Sequence, residues 1–270
     1  LANAEVLPRV LPHLHAKSTV CTLQNGVPEP FVAEYVGKER TVGGTVLWGA
    51  TFLGPGVSEL TQDITKSDHL FEIGEITGEI TERIQSVAQV LRLMGPVKVT
   101  DKLMHSRWGK LINNACMSGI SAVCGATFGQ VRDHPKARAC LSYLGREVKA
   151  CCEADGYQLP SLLGNYSPDC LGFDSQEGFD ASQAMFIGMY EGFGAAKASM
   201  LQDLEKGKRT EVRMINGYVC QTGDRHDIDT PFNDKVVEIV SRIENGEMTC
   251  SMQNLDLFPQ DWFAFALYGE

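Results

Sequence analysis

Three polar side chains recur at four-residue intervals in an otherwise apolar stretch: Lys110, Asn114 and Ser118. In an α-helix, residues four positions apart share a face, so this spacing predicts a row of one cation and two neutral hydrogen-bonding groups. A lysine in a helix that otherwise favours burial needs a compensating partner, which is typical of a polar site in a cleft. The alternative is a polar stripe on the exposed side of an amphipathic helix, and the spacing alone leaves both open.

A second polar cluster lies between residues 197 and 212. Ser199 followed by Gln202 is a capping-box pattern, which predicts a helix that begins at Ser199. Thr210 can cap the next helix and thereby places Glu211 in its first turn, where a carboxylate suits the helix dipole. Because free amide groups at helix starts bind anions, the helix start near Ser199 is a predicted binding position for a substrate carboxylate. Pure capping by these residues is the alternative interpretation.

The dipeptide Asn25-Gly26 follows a short β-rich run at residues 18–23 and precedes a predicted helix at residues 28–36. Strands and helices in alternation are typical of an α/β sheet, in which ligands bind at the carboxyl ends of the strands. Asn25 stands at such a position. A hairpin turn is the alternative interpretation of Asn-Gly, and the proline-rich helical segment that follows argues against it.

The remaining pattern predicts an α/β part followed by an all-helical part, divided near residue 99. Residues 41–52 and 57–62 are predicted strands around a Gly54-Pro55-Gly56 turn, and residues 69–73 a third, which suggests an antiparallel extension of the sheet. A helix predicted at residues 81–93 ends at Gly95-Pro96. Further helices are predicted at residues 101–126, 133–155, 178–195, 199–206, 211–226 and 231–244.

Composition restricts the partners and the compartment. The 270 residues are 43% hydrophobic and 21% charged, and the formal charge of -10 without a basic run argues against a nucleic-acid partner. No apolar run approaches the roughly 20 residues that span a bilayer, so we expect no membrane partner. Nine scattered cysteines without a Cys-x-x-Cys motif suit reduced thiols in a cytoplasmic protein. We expect no metal site, because His13-x-His15 is the nearest approach to ligand spacing.

Seven short patterns occur in a fixed order: Gln24-Asn-Gly26, Gly43-Gly44, Glu72-Ile-Gly-Glu75, Trp108-x-Lys110-x-x-x-Asn114, Ser199-Met-Leu-Gln-Asp203, Gly207-x-x-Thr-Glu211 and Ile215-Asn-Gly217. Together they resemble the ketopantoate reductases (2-dehydropantoate 2-reductases). The resemblance implies a Rossmann-type dinucleotide-binding domain, here partial, followed by an all-helical domain for substrate binding and dimerisation. We expect these domains at residues 1–99 and 100–270. The implied activity is reduction of a 2-oxo acid with NADPH, with ketopantoate on the route to pantothenate as the leading substrate.

The resemblance also implies catalytic roles for two residues. Reduction of a ketone leaves negative charge on oxygen, so a proton donor must lie there. Lys110 resembles the family's donor, and such a lysine needs the lowered pKa that desolvation in a closed cleft supplies. Glu211 resembles the acidic residue that holds the substrate hydroxyl or orients Lys110.

Binding roles follow from the same resemblance. Ser199 resembles the serine that binds the substrate carboxylate, and Asn114, with Ser118 one turn further on, supplies hydrogen bonds to the substrate. Asn25 and Gly26 resemble the loop beside the nicotinamide of NADP. We therefore expect the substrate-binding residues to converge on one cleft that faces this loop, although they lie far apart in sequence.

Two departures from the family pattern keep alternatives open. The phosphate-binding Gly-x-Gly-x-x-Gly is absent, and the nearest string, Gly54-Pro-Gly-Val-Ser-Glu59, fails its last position. We therefore expect that about 60 or more residues of the family's front are missing from this chain. Ser118 and Gly119 stand where the family usually has asparagine and proline. One alternative function is reduction of another 2-oxo acid or of an imine, and a second is a truncated non-catalytic binding module. The sequence does not decide whether the cofactor is NADP or NAD, or whether the protein forms a homodimer.

Overall fold

The computed structural model describes residues 2–60, 63–163 and 165–265. Two units make up the chain, Leu1–Arg107 and Trp108–Glu270. The division falls inside one helix, just after the position near residue 99 at which the pattern predicts it. The first unit carries strands and helices, and the second is helical, which confirms the predicted fold class.

A four-stranded mixed sheet forms the centre of the first unit. The elements of this unit are α1 (Asn3–Val10), β1 (Val20–Thr22), α2 (Glu29–Val36), β2 (Thr41–Val46), β3 (Ala50–Gly54), β4 (Val57–Leu60), β5 (Phe71–Glu75), α3 (Glu82–Leu91), β6 (Val97–Val99) and the start of α4 (Leu103–Asn113). The strand order is β1-β2-β5-β6. Strands β1 and β2 are parallel, β2 and β5 antiparallel, and β5 and β6 parallel.

The connection between β1 and β2 decides between the two interpretations of Asn25-Gly26. Val20 pairs with Thr41 and Thr22 with Gly43 in a parallel ladder, and α2 lies between the two strands in sequence. Parallel strands require such a crossover connection, whereas a hairpin joins antiparallel strands. The hairpin interpretation is therefore wrong, and the dipeptide lies in a strand-to-helix loop.

The predicted antiparallel extension differs in one respect from the structure. The run at residues 41–52 divides into β2, which joins the main sheet, and β3, which pairs with β4 in a separate two-stranded sheet. The division is natural because the pairing of β2 with β5 ends at Val46 opposite Phe71. The last two residues of the predicted strand at 57–62 lie outside the described residues.

Two apolar clusters hold the first unit together. In the larger cluster, α3 contributes Ile84 and Ala88, which pack with buried residues of the sheet such as Val42 and Ile73. Thr81 fixes the start of α3, since its hydroxyl accepts a hydrogen bond from Ile84 N at 3.2 Å. The smaller cluster joins α1 to α2 through three buried side chains, Leu7, Val32 and Val36.

The second unit consists of helices packed around an apolar core. Its elements after α4 are a π turn (Asn114–Ser118), α5 (Gly119–Cys124), α6 (Phe128–Asp133), α7 (Pro135–Ala154), α8 (Gln176–Met189), α9 (Ser199–Glu205), α10 (Val212–Arg225) and α11 (Pro231–Glu244). All six predicted helices are present, and the short α6 is additional. Proline in the first turn fixes the start of α7 and of α11: α7 starts at Pro135, two residues after its predicted start, and α11 starts at Pro231 as predicted.

Burial decides the character of the adjacent cysteines on α7. Cys151 and Cys152 are both fully buried, and burial raises the pKa of each thiol to about 12. The thiolate is the reactive form of cysteine, so these are packing residues of the helix rather than a reactive pair. Within the described residues, no helix is long and apolar enough to cross a membrane.

Candidate active site

The predicted polar row begins on α4, which starts at Leu103. Lys110 lies in the last turn of this helix and is half-buried. Asn114, also half-buried, is the first residue of the π turn, and Ser118, its last residue, is only 6% exposed. An exposed stripe would leave all three residues open to solvent, so the burial favours a polar site over a surface stripe.

The π turn is a departure from the regular helix that the sequence pattern assumes. The N–H of Gly119 donates to the carbonyl of Asn114, five residues back, rather than four residues back as in an α-helix. The wider turn rotates Ser118 away from the position directly above Asn114 that a four-residue spacing predicts. Single π turns inside α-helices are rare and occur frequently at functional sites.

Helix α9 begins at Ser199, as predicted, but the capping box is not formed. Ala198 occupies the N-cap position, and no side chain caps the helix. Ser199 is the first helical residue and is exposed. Since its hydroxyl does not cap the helix, the pure capping interpretation of Ser199 is wrong, and its role in carboxylate binding stays a prediction.

The start of α10 separates the roles of Thr210 and Glu211. The hydroxyl of Thr210 accepts a hydrogen bond from Val212 N at 3.2 Å and donates to Glu244 Oε1 at 2.6 Å. Glu211 is the residue just before the helix, half-buried, and its side chain makes no capping hydrogen bond. Thr210 therefore caps the helix and the Glu211 side chain does not, and Glu211 lies one residue before the first turn in which the pattern predicts it.

Both of these helices pack against the π turn. Within the second unit, α9 and α10 each contact residues Asn114–Ser118. The structure thus brings the elements that carry Ser199 and Glu211 to the segment that carries Asn114 and Ser118. A direct contact between Lys110 and Glu211 stays a prediction.

In the first unit, the β1–α2 loop is fixed by a buried arginine that the sequence pattern did not single out. Arg107, 1% exposed, donates from Nη1 to Gln24 O at 2.7 Å and from Nη2 to Thr22 O at 3.1 Å. Its Nε donates to Glu29 Oε1 at 2.7 Å, and Glu29 is fully buried at the start of α2. The guanidinium therefore joins the end of β1, the residue before Asn25 and the start of α2.

A buried carboxylate, Glu147 on α7, caps the start of α11. Its Oε1 accepts from Phe232 N at 2.8 Å, and its Oε2 accepts from Asn233 N at 2.9 Å and from Asn233 Nδ2 at 2.7 Å. Burial, with a smaller contribution from the Asp234 carboxylate, raises the pKa of Glu147 to about 8, although the three N–H groups favour the charged form. The sequence offered no signal for this carboxylate, because its partners lie 85 and 86 positions away.

Glu147 is expected to make stability fall as pH rises. Its pKa is raised on folding from 4.5 to about 8, so its contribution is complete below pH 4.5 and is lost as pH rises towards 8. Between these limits the wild type should lose about a few kcal/mol more of unfolding free energy than Glu147→Gln. Urea unfolding of both proteins at several pH values measures the difference. Glu153→Gln, exposed on the same helix, is the control, and parallel pH profiles for wild type and Glu147→Gln would contradict the expectation.

Two family models match long stretches of the sequence. The family model described as ketopantoate reductase PanE/ApbA C terminal matches residues 102–244, and the model for ketopantoate reductase PanE/ApbA matches residues 1–74. The chain belongs to the ketopantoate reductase family. This is a family of oxidoreductases, and the match of 102–244 covers every residue of the second-unit site described above.

Individual members of the ketopantoate reductase family resemble the chain over most of its length. It is 29% identical over 246 residues to the 2-dehydropantoate 2-reductase of Archaeoglobus fulgidus, covering 90% of this chain and 74% of that protein. Its identity to the enzyme of the same name from Mesorhizobium japonicum is 26% over 259 residues, covering 88% and 72%. Its fold is shared with the PanE/ApbA family ketopantoate reductase of Ralstonia eutropha, with a TM-score of 0.73, 22% identity and coverage of 91% and 73%.

A second solved structure of the same fold comes from a differently named enzyme. D-Mandelate dehydrogenase in its ternary complex with NADH and anilino(oxo)acetate matches with a TM-score of 0.72 at 20% identity, over 91% of this chain and 74% of that one. The similarity shows that the two chains share a fold.

Proposed function

We propose that the protein reduces a 2-oxo acid with NADPH and that ketopantoate is this acid. The observation that carries the proposal is the half-buried pair Lys110 and Asn114 on either side of the helix-to-π transition, in a chain that the family's models match over residues 1–74 and 102–244. The relatives named above are 2-dehydropantoate 2-reductases, which supports the choice of substrate.

The proposed roles follow from the chemistry of each side chain. Lys110 donates the proton that the reduced carbonyl oxygen takes up, and Glu211, whose carboxylate does not cap α10, orients Lys110 or the substrate hydroxyl. Asn114 and Ser118 hydrogen-bond the substrate. Ser199 binds its carboxylate, supported by an exposed hydroxyl that does not cap α9.

We assign the cofactor to the first unit and the substrate to the second. NADPH, when bound, supplies the hydride. The β1–α2 loop fits the nicotinamide end, because a loop at the carboxyl end of a parallel strand is the usual ligand position in such sheets. Asn25 and Gly26 are the contact residues that we propose there. The residues that hold the pyrophosphate in a Rossmann fold, Gly-x-Gly-x-x-Gly, do not occur in this sequence.

The setting of the activity is also a proposal. Free thiols at all nine cysteines, each among the described residues, suit a reducing cytoplasm. A homodimer through the helical unit is supported by a solved relative described as dimeric, the ketopantoate reductase of Staphylococcus aureus.

Reduction of another 2-oxo acid is the second candidate function. Ser118 favours it, since a buried serine in place of asparagine leaves room for a different substrate side chain. The shared fold of D-mandelate dehydrogenase, solved with an anilino-substituted oxo acid and NADH, suits the same alternative.

A substrate panel tests the proposal. NADPH or NADH oxidation is followed with ketopantoate, 2-oxoisovalerate, pyruvate and phenylglyoxylate, and the Lys110→Ala protein supplies the background rate. We expect kcat/KM for ketopantoate with NADPH to exceed the other pairs by about tenfold or more, since one missing polar contact discriminates at least that strongly. A preference for another acid supports the second candidate. If no acid is turned over and a fluorescence titration shows no NADPH binding, the proposed activity is wrong and the result supports a non-catalytic binding module.

A further inference from the structure

The π turn leaves one backbone carbonyl in need of a new donor. In a regular α-helix the N–H of Gly119 would donate to the carbonyl of Ala115, four residues back. Here it donates to the carbonyls of Asn114 and Cys116 instead. Ala115 is fully buried, and a buried carbonyl without a donor is costly, so the π turn persists only if another group donates to it.

The donor comes from α10. Asn216 Nδ2 lies 3.0 Å from Ala115 O, across 101 positions of sequence, and the asparagine is fully buried. The approach is close: a Cβ on Gly119 would lie 3.3 Å from the side-chain amide of Asn216. Asn216 therefore supplies from outside the helix the hydrogen bond that the π turn removes.

A chain of buried groups fixes which way this amide points. Asn216 Nδ2 also donates to Asn233 Oδ1 at 2.9 Å, and Asn233 Nδ2 donates to Glu147 Oε2 at 2.7 Å. Glu147 Oε2 also accepts a hydrogen bond from the backbone N–H of Asn233, so this oxygen is an acceptor, the Nδ2 of Asn233 faces it, and the Oδ1 of Asn233 faces Asn216. The Nδ2 of Asn216 is then directed at both acceptors, Asn233 Oδ1 and Ala115 O.

We infer that Asn216 is a positioning residue, which holds the π turn and thereby sets the directions of Asn114 and Ser118. Without its hydrogen bond, the turn would convert to a regular α-helix in which Gly119 N donates to Ala115 O. Ser118 would then rotate relative to Asn114. The inference rests on the proposed function only in assigning the substrate to these two side chains.

Two variants of Asn216 test the inference. Asn216→Leu keeps the number and branching of the side-chain heavy atoms and removes the donor. Asn216→Asp keeps the shape, and its carboxyl group regains one O–H donor when it is protonated at low pH. Thr222→Val is the matched control, because Thr222 is also buried on α10 and its hydroxyl donates within that helix, to Tyr218 O at 2.9 Å.

The readouts are the backbone of residues 113–120 in a crystal structure, KM for the 2-oxo acid and Kd for NADPH. For Asn216→Leu we expect the α-helical bond from Gly119 to Ala115, KM raised about tenfold or more, and NADPH Kd unchanged. For Asn216→Asp we expect the raised KM to fall back towards the wild-type value as pH is lowered, relative to wild type at the same pH. Thr222→Val should keep both the π turn and KM.

The remaining outcomes test the inference about Asn216 and the proposed function separately. A π turn that persists in Asn216→Leu contradicts the inference, as does a converted turn with unchanged KM in a protein whose activity Lys110→Ala abolishes. If the wild type reduces no 2-oxo acid, the proposed function fails, and the backbone of Asn216→Leu then decides the inference alone: conversion supports it and persistence overturns it. If Asn216→Leu does not fold, the pH-dependent KM of Asn216→Asp decides, and a KM that stays raised at low pH overturns the inference.

Discussion

Replacement of Lys110 by alanine is expected to lower kcat for the 2-oxo acid by about 10²–10⁴-fold while changing the Kd of NADPH little. A general acid contributes about this factor, which corresponds to about 3–5 kcal/mol of activation free energy. Lys110 is half-buried at the end of α4, and the contact that we propose for it is with the substrate carbonyl oxygen rather than with NADPH. Steady-state kinetics of the folded variant, with oxo acid and NADPH varied separately, measures both effects.

The control for this prediction is Lys102→Ala, because Lys102 is an exposed lysine just before the same helix. Its kcat should match the wild type. Glu211→Ala should lower kcat and raise KM together, since we propose that its carboxylate acts on both Lys110 and the substrate. A near-normal kcat in folded Lys110→Ala would remove this lysine from the mechanism and leave it a structural residue.

Replacement of Arg107 by methionine is expected to lower the unfolding free energy of the first unit by about 3–5 kcal/mol, the usual cost of breaking a buried ion pair. The variant leaves the fully buried Glu29 without its counter-charge, and the carbonyls of Thr22 and Gln24 lose their donor. Urea unfolding measures the loss. Hydrogen–deuterium exchange of peptides from residues 20–36 should show faster exchange at the same place.

A double variant separates the charge from the packing of Arg107. Arg107→Met with Glu29→Gln removes the unpaired buried charge, so it should recover a large part of the stability that Arg107→Met loses. The exposed ion pair of Arg9 with Glu5 gives the comparison, because Arg9→Met should change stability little. A loss in Arg107→Met as small as that in Arg9→Met would show that the buried pair does not stabilise the loop.

Local signals explain why most helices could be predicted from the sequence. The starts of α7 and α11 carry proline in the first turn, and α3 begins after the capping residue Thr81. Such signals act over a few residues, so they can be read without knowledge of the fold. The polar row from Lys110 onward could be found for the same reason, because spacing along one helix is a local property.

The features that the sequence did not reveal depend on partners far along the chain. The π turn depends on Asn216, 101 positions after Ala115, and the β1–α2 loop depends on Arg107, 83 positions after Gln24. The apolar spacing over residues 101–126 is the same whether or not the distant side-chain amide of Asn216 donates a hydrogen bond to the carbonyl of Ala115. The separation of β3 from the main sheet likewise depends on strand pairing, which short apolar runs do not specify.

The absence of a side chain at Gly43 restricts the order in which three residues can change during evolution. A Cβ on Gly43 would overlap the carboxylate of Glu29, so replacing Gly43 while Glu29 stays forces this buried side chain to shift. Replacing Glu29 first leaves the buried guanidinium of Arg107 without its counter-charge, and replacing Arg107 first leaves the buried carboxylate of Glu29 without its counter-charge. Every single-step path through these positions therefore crosses a destabilised intermediate, and descendants of this chain are expected to keep all three residues or to exchange them together.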